Sequence, residues 1–158
     1  HFTQELLERI QKIGVSVVKI TLHIGIGTFL LVKAALVEAH RMHAEHYHVA
    51  LETKEFIRRA KREGRRIIAC GTSVVRTLET ISTENGNMPL SGSAGIFIYP
   101  GYTFKMVDAL ITNFHLPRST PLLLVSAFAG VGQVSGCYRE AIEKRYRFYS
   151  YGDSMFIV

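Results

Sequence analysis

Tryptophan is missing from this chain, cysteine occurs twice and proline four times in 158 residues. Two cysteines, Cys70 and Cys137, cannot build a disulfide framework, which fits a reducing compartment. The longest strongly apolar run, Pro121 to Ala129, is far too short to span a bilayer, and nothing resembles a secretory signal. A cytoplasmic protein with no membrane partner is therefore expected. Several chemistries lack their signatures as well. The turn Gly25 to Phe29, GIGTF, has neither the GxGxxG spacing of a dinucleotide site nor a P-loop lysine. No GxSxG elbow is present. Cys70 follows the apolar Ile67, Ile68 and Ala69, a context for a small core residue rather than a nucleophile.

Acid is scarcer than base: 13 acidic residues face 19 basic ones, a formal charge of +6. The excess is clustered. Lys54, Arg58, Arg59, Lys61, Arg62, Arg65 and Arg66 form one group, and Arg139, Lys144, Arg145 and Arg147 a second. Such groups neutralise phosphates and give salt-dependent affinity for nucleic acid. They equally describe a solvated helix face, which Glu52, Glu55 and Glu63 support.

What is present suffices for one sizeable core, since 47% of the residues are hydrophobic, and a single domain over 1–158 is expected. The first residue is His1, and a helical pattern follows at once, as in a chain that starts inside a larger polypeptide. Thr3 caps a helix with Leu6, Leu7, Ile10 and Ile13 at helical spacing, and Gly14 stops it. Alternation predicts strands over Val15 to His23 and His46 to Leu51. A helix over Glu52 to Glu63, a strand over Arg65 to Cys70 and a helix over Ser73 to Ile81 follow. Ser82 to Gly95 reads as a polar, glycine-rich loop. Strands near Ile96 to Tyr99 and Val107 to Thr112 precede a buried helix, Leu122 to Ala129, capped by Ser119 or Thr120 with Pro121 in its first turn. A helix near Ser135 to Lys144, a strand-like Arg147 to Tyr151 and a Gly152-Asp153 turn complete the chain. This alternation predicts an α/β fold with a mainly parallel sheet, part of a barrel-like domain.

Polar residues at strand ends are the candidates for function, because ligands of α/β sheets lie outside the carboxyl ends of the strands. Asn113 and His115 follow Ala109, Leu110 and Ile111 and precede Leu116-Pro117. Gly71, Thr72 and Ser73 sit between a strand and a helix, where N–H donors favour an anion, and Arg76 lies one turn on. His23 ends a strand, as a base or as a hydrogen-bonded structural residue. His40, His43, Glu45, His46 and His48 invite a metal reading, but their spacing matches no recognised pattern, so no metal is expected and His43 with Glu45 is the better acid/base or ribose-binding pair. Tyr99, Tyr102 and Phe104 suit either base stacking or core packing. Asp108 and Asp153 suit either a functional acid or a turn cap.

Seven ordered blocks resemble one family: TLHIGIGTF at 21–29, HRMHAE at 40–45, GTSVVRTLE at 71–79, IFIYPGYTFK at 96–105, VDALITNFHLPRST at 107–120, LVSAFAG at 124–130 and YRFYSYGDSMFI at 146–157. Together they look like the S-adenosylmethionine:tRNA ribosyltransferase-isomerases of queuosine biosynthesis, over about the C-terminal half of a family member. The resemblance implies a barrel-like α/β domain whose inserted β-barrel domain is absent from this chain. It implies transfer of the ribosyl part of S-adenosylmethionine to an aminomethyl-deazaguanine at the tRNA wobble position, with isomerisation to epoxyqueuosine and loss of adenine and methionine. S-adenosylmethionine is then a co-substrate, tRNA the partner, no further cofactor is needed, and a monomer is expected. In that reaction a base removes a proton acidified by the sulfonium and donors hold the ribose and the methionine carboxylate. His115 and His43 are expected in proton transfer and Asn113 and Glu45 at the ribose or base. Thr72, Ser73 and Arg76 are expected at anionic groups, with His23, Gly25, Gly27, Thr28 and Tyr99 completing the substrate site. The family's turn usually has a hydroxyl where this chain has Val74. A non-catalytic basic RNA-binding domain is the alternative.

Overall fold

The computed structural model describes residues 2–25, 31–34, 36–83 and 88–158. Helix α1 (Gln4–Lys12) starts where expected, because Thr3 Oγ1 accepts the Leu6 N–H at 3.1 Å. It stops at Gly14, whose φ of +88° suits a residue without a side chain. None of its residues is buried, so its apolar stripe is open. Among the described residues, strand β1 (Thr21–His23) is the part of the predicted 15–23 strand that pairs in a sheet. A 3-10 turn (Val37–Ala39) leads to β2 (Glu45–His48), whose alternation buries Glu45 and Tyr47 and exposes His46 and His48. Helix α2 (Leu51–Arg62), β3 (Ile68–Cys70) and α3 (Thr72–Thr83) follow the sequence reading closely.

Strand β4 (Ser91–Ala94) falls inside the stretch expected to be a loop, whereas 96–99 forms no ladder among the described residues. The segment SGSA has poor strand propensity, and its neighbours explain why it pairs. A Cβ on Gly92 would meet Tyr47 Oη at 2.6 Å, so only glycine lets the tyrosine lie across the strand. Ser91 and Ser93 hydrogen-bond the imidazole Nδ1 atoms of His48 and His46, both at 2.9 Å. Of the remaining predicted loop, residues 82–83 end α3 and residues 84–87 lie outside the described residues.

Strand β5 (Ala109–Asn113) enters α4 (Thr120–Ala129), which meets α5 (Val131–Glu143) at a bend of 113°. Gly130, at φ +88°, makes that corner. The predicted strand over 147–151 is instead a turn. Asp153 accepts the Arg147 N–H at 2.7 Å, and a Cβ at Gly152 would collide with the Arg147 carbonyl, so Gly152 and Asp153 close the segment on itself. The chain then forms β6 (Ser154–Ile157).

Among the described residues there are two three-stranded sheets, ordered β1-β2-β4 and β3-β5-β6. This corrects the expectation of a mainly parallel sheet: only β3 and β5 run parallel, and the other three pairings are antiparallel. The reason is connectivity. Helix α3 and the segments after it supply one crossover between β3 and β5, whereas β5 and β6 are joined by two helices and a turn that reverse the chain. The core lies between the sheets and α3, α4 and α5, with Val49, Val75, Leu110 and Val125 fully buried. Cys70 is exposed, against expectation, because in β3 it is Ala69 that points inward; partial desolvation still pushes its thiol pKa up. No single described helix is long and apolar enough to cross a membrane.

Glu79 ties the long 99–107 segment to α3. It is fully buried and accepts the N–H groups of Lys105, Met106 and Val107 and the hydroxyl of Tyr102, all at 2.9–3.0 Å. Burial and the adjacent carboxylate push the Tyr102 pKa up. In Glu79→Gln the amide NH2 would oppose these donors, and stability is expected to fall by about 2–3 kcal/mol. Urea denaturation measures the loss, and hydrogen exchange at 105–107 should quicken; unchanged exchange there would show that the carboxylate does not hold the segment.

Candidate functional site

The parallel strands β3 and β5 end side by side, and each runs into a helix start. After β3 comes Gly71 at φ +99°, a backbone that disfavours other residues, and then Thr72 and Ser73 in the first turn of α3. After β5 come Asn113 to Arg118 and then Ser119, which caps α4 by accepting the Leu122 N–H at 3.3 Å. Arg118 sits at φ +57°, an uncommon conformation for a side-chain-bearing residue. Leu31 bridges Ser119, and the Val32 N–H donates to the Arg118 carbonyl at 2.8 Å. Thr72, Ser73, Arg76, Thr120 and Pro121 line one narrow crevice with Met42 and Leu124.

Arg76 is neither a surface charge nor a free anion receptor. It is 4% exposed, and the carboxylate it holds is the chain's own Glu45, at 3.1 Å. That contact is ionic rather than an aligned hydrogen bond. The remaining donors reach the carbonyls of His43, Ala94 and Ile96 at 2.9, 2.8 and 3.1 Å. Burial pulls the Arg76 pKa down and Glu45 opposes the shift. His43 therefore contributes its carbonyl to the interior while its side chain is exposed.

His115 is half-buried, with Nε2 2.8 Å from Thr112 Oγ1. Its backbone N–H donates to the Tyr138 hydroxyl at 2.7 Å, and burial pushes the Tyr138 pKa up. Desolvation pushes the His115 pKa down from 6.5 to about 4, so its imidazole is neutral near pH 7. Asn113 spans the Gly152-Asp153 turn, its Nδ2 donating to both carbonyls at 3.4 and 3.3 Å.

Other expected residues lie apart. His23 is in the first sheet, on its exposed side and in register with His46. Gly25 is exposed; Gly27 and Thr28 lie outside the described residues. Tyr99 stacks on Phe97, which in turn meets His40, at centroid distances of 5.2 and 5.0 Å. Asp108 bonds across segments rather than within its own turn: it accepts the Ile67 N–H at 2.7 Å and pairs with Lys61 at 3.1 Å. The basic group on and after α2 is partly neutralised, with Arg58 on Glu55, Arg59 and Arg65 on Glu63, and Arg62 and Arg66 exposed. No group of three or more His, Cys, Asp or Glu among the described residues is placed to hold a metal ion. Sequence reasoning missed two participants. Thr120 was legible only as a possible cap, and Glu79 could have been suspected as an acid on the apolar side of α3.

Two helix starts at the carboxyl ends of two parallel strands place this chain in the class of α/β proteins, whose ligands as a rule lie outside such strand ends. Residues 1–157 match the family model described as queuosine biosynthesis protein, and the chain belongs to that family. It is similar to the S-adenosylmethionine:tRNA ribosyltransferase-isomerase of Natranaerobius thermophilus, 54% identical over 99% of this chain and 46% of the relative. The relative of the same name from Heliobacterium modesticaldum is 55% identical over 100% of this chain and 46% of its own length. The crystal structure of S-adenosylmethionine tRNA ribosyltransferase from Thermotoga maritima superposes with a TM-score of 0.84 at 46% identity, covering 99% of this chain and 50% of that one. The chain thus spans about half the length of the relatives it matches.

Two outcomes follow from the geometry. The His115 imidazole is expected to titrate near pH 4 by NMR; a midpoint near 6.5 would contradict its burial. Because the unfolded chain takes up this proton below about 6.5 and the folded one only below about 4, stability is present above 6.5 and lost as pH falls towards 4, on the order of 2 kcal/mol after allowing for partial exposure. His115→Gln should flatten that dependence. Arg76→Met alone should cost about 3–5 kcal/mol by stranding Glu45, while Arg76→Met combined with Glu45→Met should recover much of the loss. Equal stability of the single and double variants would show that the pair is not coupled.

Proposed function

We propose that the full-length protein is a tRNA-modifying enzyme that transfers and isomerises the ribosyl part of S-adenosylmethionine onto the aminomethyl-deazaguanine of the wobble position, releasing adenine and methionine. The observation that carries this is the polar edge where β3 and β5 end, in a chain that matches its family from end to end. Its relatives' names support the substrates. The two sheets are read as part of a barrel-like main domain that the rest of the full-length protein completes.

The residues divide the work by environment. His43, with an exposed side chain, and His115, held neutral against Thr112, are the candidates for moving the proton that the sulfonium acidifies. A group with a pKa near 4 is a weak base at pH 7, so His115 suits hydrogen bonding to the ribose or to a developing charge better, and His43 suits proton removal. Asn113 holds the Gly152-Asp153 turn and faces the same strand end, a place for a ribose contact. Thr72 and Ser73 serve anionic groups. Arg76 and Glu45 act by fixing the chain around His43. Tyr99, in its row with Phe97 and His40, offers a stacking face for a base, and His23, Gly25, Gly27 and Thr28 complete the substrate site. Arg62 and Arg66, exposed beyond the α2 ion pairs, suit phosphates of the tRNA.

Incubation of the full-length protein with S-adenosylmethionine and precursor tRNA should release adenine, followed by chromatography, and His43→Ala should slow turnover at least tenfold with little change in S-adenosylmethionine binding. Tight, salt-sensitive tRNA binding without any adenine would instead indicate a binding module.

A further inference from the structure

One group in the crevice between α3 and α4 is left unused by the fold. Thr120 is 5% exposed, lines the crevice, and its Oγ1 has no hydrogen-bond partner among the described residues. A buried hydroxyl without a partner is unfavourable, and a valine of the same shape would avoid the cost. Across the crevice lie Thr72 and Ser73, in the first turn of the 12-residue helix α3. The first N–H groups of a helix lack intrahelical acceptors and carry the positive end of its dipole. Thr120 itself opens the 10-residue helix α4, so two helix starts converge on the hydroxyl. Arg76 lines the crevice too, but its Nε and Nη2 donate to three carbonyls and its Nη1 lies against the Glu45 carboxylate at 3.1 Å. The available donors are thus Thr120 Oγ1–H and the first-turn N–H groups of α3. The crevice has room for about one water-sized group, which is the size of a single ligand oxygen.

We propose that this crevice is an oxyanion subsite that takes one oxygen of a carboxylate or phosphate, with Thr120 as its side-chain donor. The inference rests on the reaction proposed above, in which S-adenosylmethionine brings a carboxylate and tRNA brings phosphates. Thr120 acts in binding, and the proton-transfer step does not involve it.

Calorimetry on the full-length protein and its Thr120→Val and Thr120→Ser variants tests this with three probes: S-adenosylmethionine, its decarboxylated analogue, and precursor tRNA. Thr120→Val is expected to keep or raise the melting temperature while weakening one of the natural ligands roughly tenfold to a hundredfold, and Thr120→Ser to restore it. Loss for S-adenosylmethionine but not for the decarboxylated analogue identifies the carboxylate; loss for tRNA alone identifies a phosphate. Unchanged affinity for all three, or equal loss for S-adenosylmethionine and its analogue, overturns the subsite. Thr120→Ala gives the same reading if the valine variant does not fold. Failure of the wild-type protein to release adenine would count against the reaction, while the binding measurements would still decide the subsite.

Discussion

The buried contact between Arg76 and Glu45 is the constraint on which the rest of the molecule depends. Arg76 belongs to α3, which packs with the β3-β5-β6 sheet, whereas Glu45, Ala94 and the His43 carbonyl belong to or flank the β1-β2-β4 sheet. One guanidinium therefore fixes the distance between two sheets that share no strand. A planar group with donors in several directions can do this; a lysine ammonium could not reach the same carbonyls at once. The pair is fully desolvated, so its value lies less in net stability than in the penalty for any arrangement that separates it.

The same helix carries a second buried charge three residues on. Glu79 gathers three consecutive N–H groups and a tyrosine hydroxyl from the 102–107 segment, which would otherwise have to bury unpaired donors. Arg76 and Glu79 thus tie α3 to the first sheet and to the 102–107 segment, and the helix start follows directly on the end of β3. Position of that start decides the site. The start of α3 and Thr120, whose hydroxyl has no partner among the described residues, line one crevice there.

Much of this was legible along the chain. Both ends of α1 and the start of α4 were marked by caps, a glycine and a first-turn proline, all of which act within a few residues. Asn113 and His115 stood out because a polar pair ended an apolar run, and β5 does end there. The misreadings share a cause. SGSA becomes a strand because Tyr47 needs a glycine opposite it, and RFYSY becomes a turn because Asp153 and Gly152 close it, although its own pattern suits a strand. Strand direction was missed for a related reason: a parallel and an antiparallel strand look alike in a short apolar run.

The amino-acid sequence by itself determined the family, most helix boundaries and the strand-end location of the candidate site, because ordered motifs, caps and apolar periodicity are local properties of the chain. Only the tertiary structure decided that Arg76 is answered by Glu45, that His115 is held neutral, and that Thr120 is buried without a partner among the described residues. Those outcomes depend on which groups lose water and which groups face them when distant segments meet, and burial of that kind is set by packing between elements rather than by the order of residues within one.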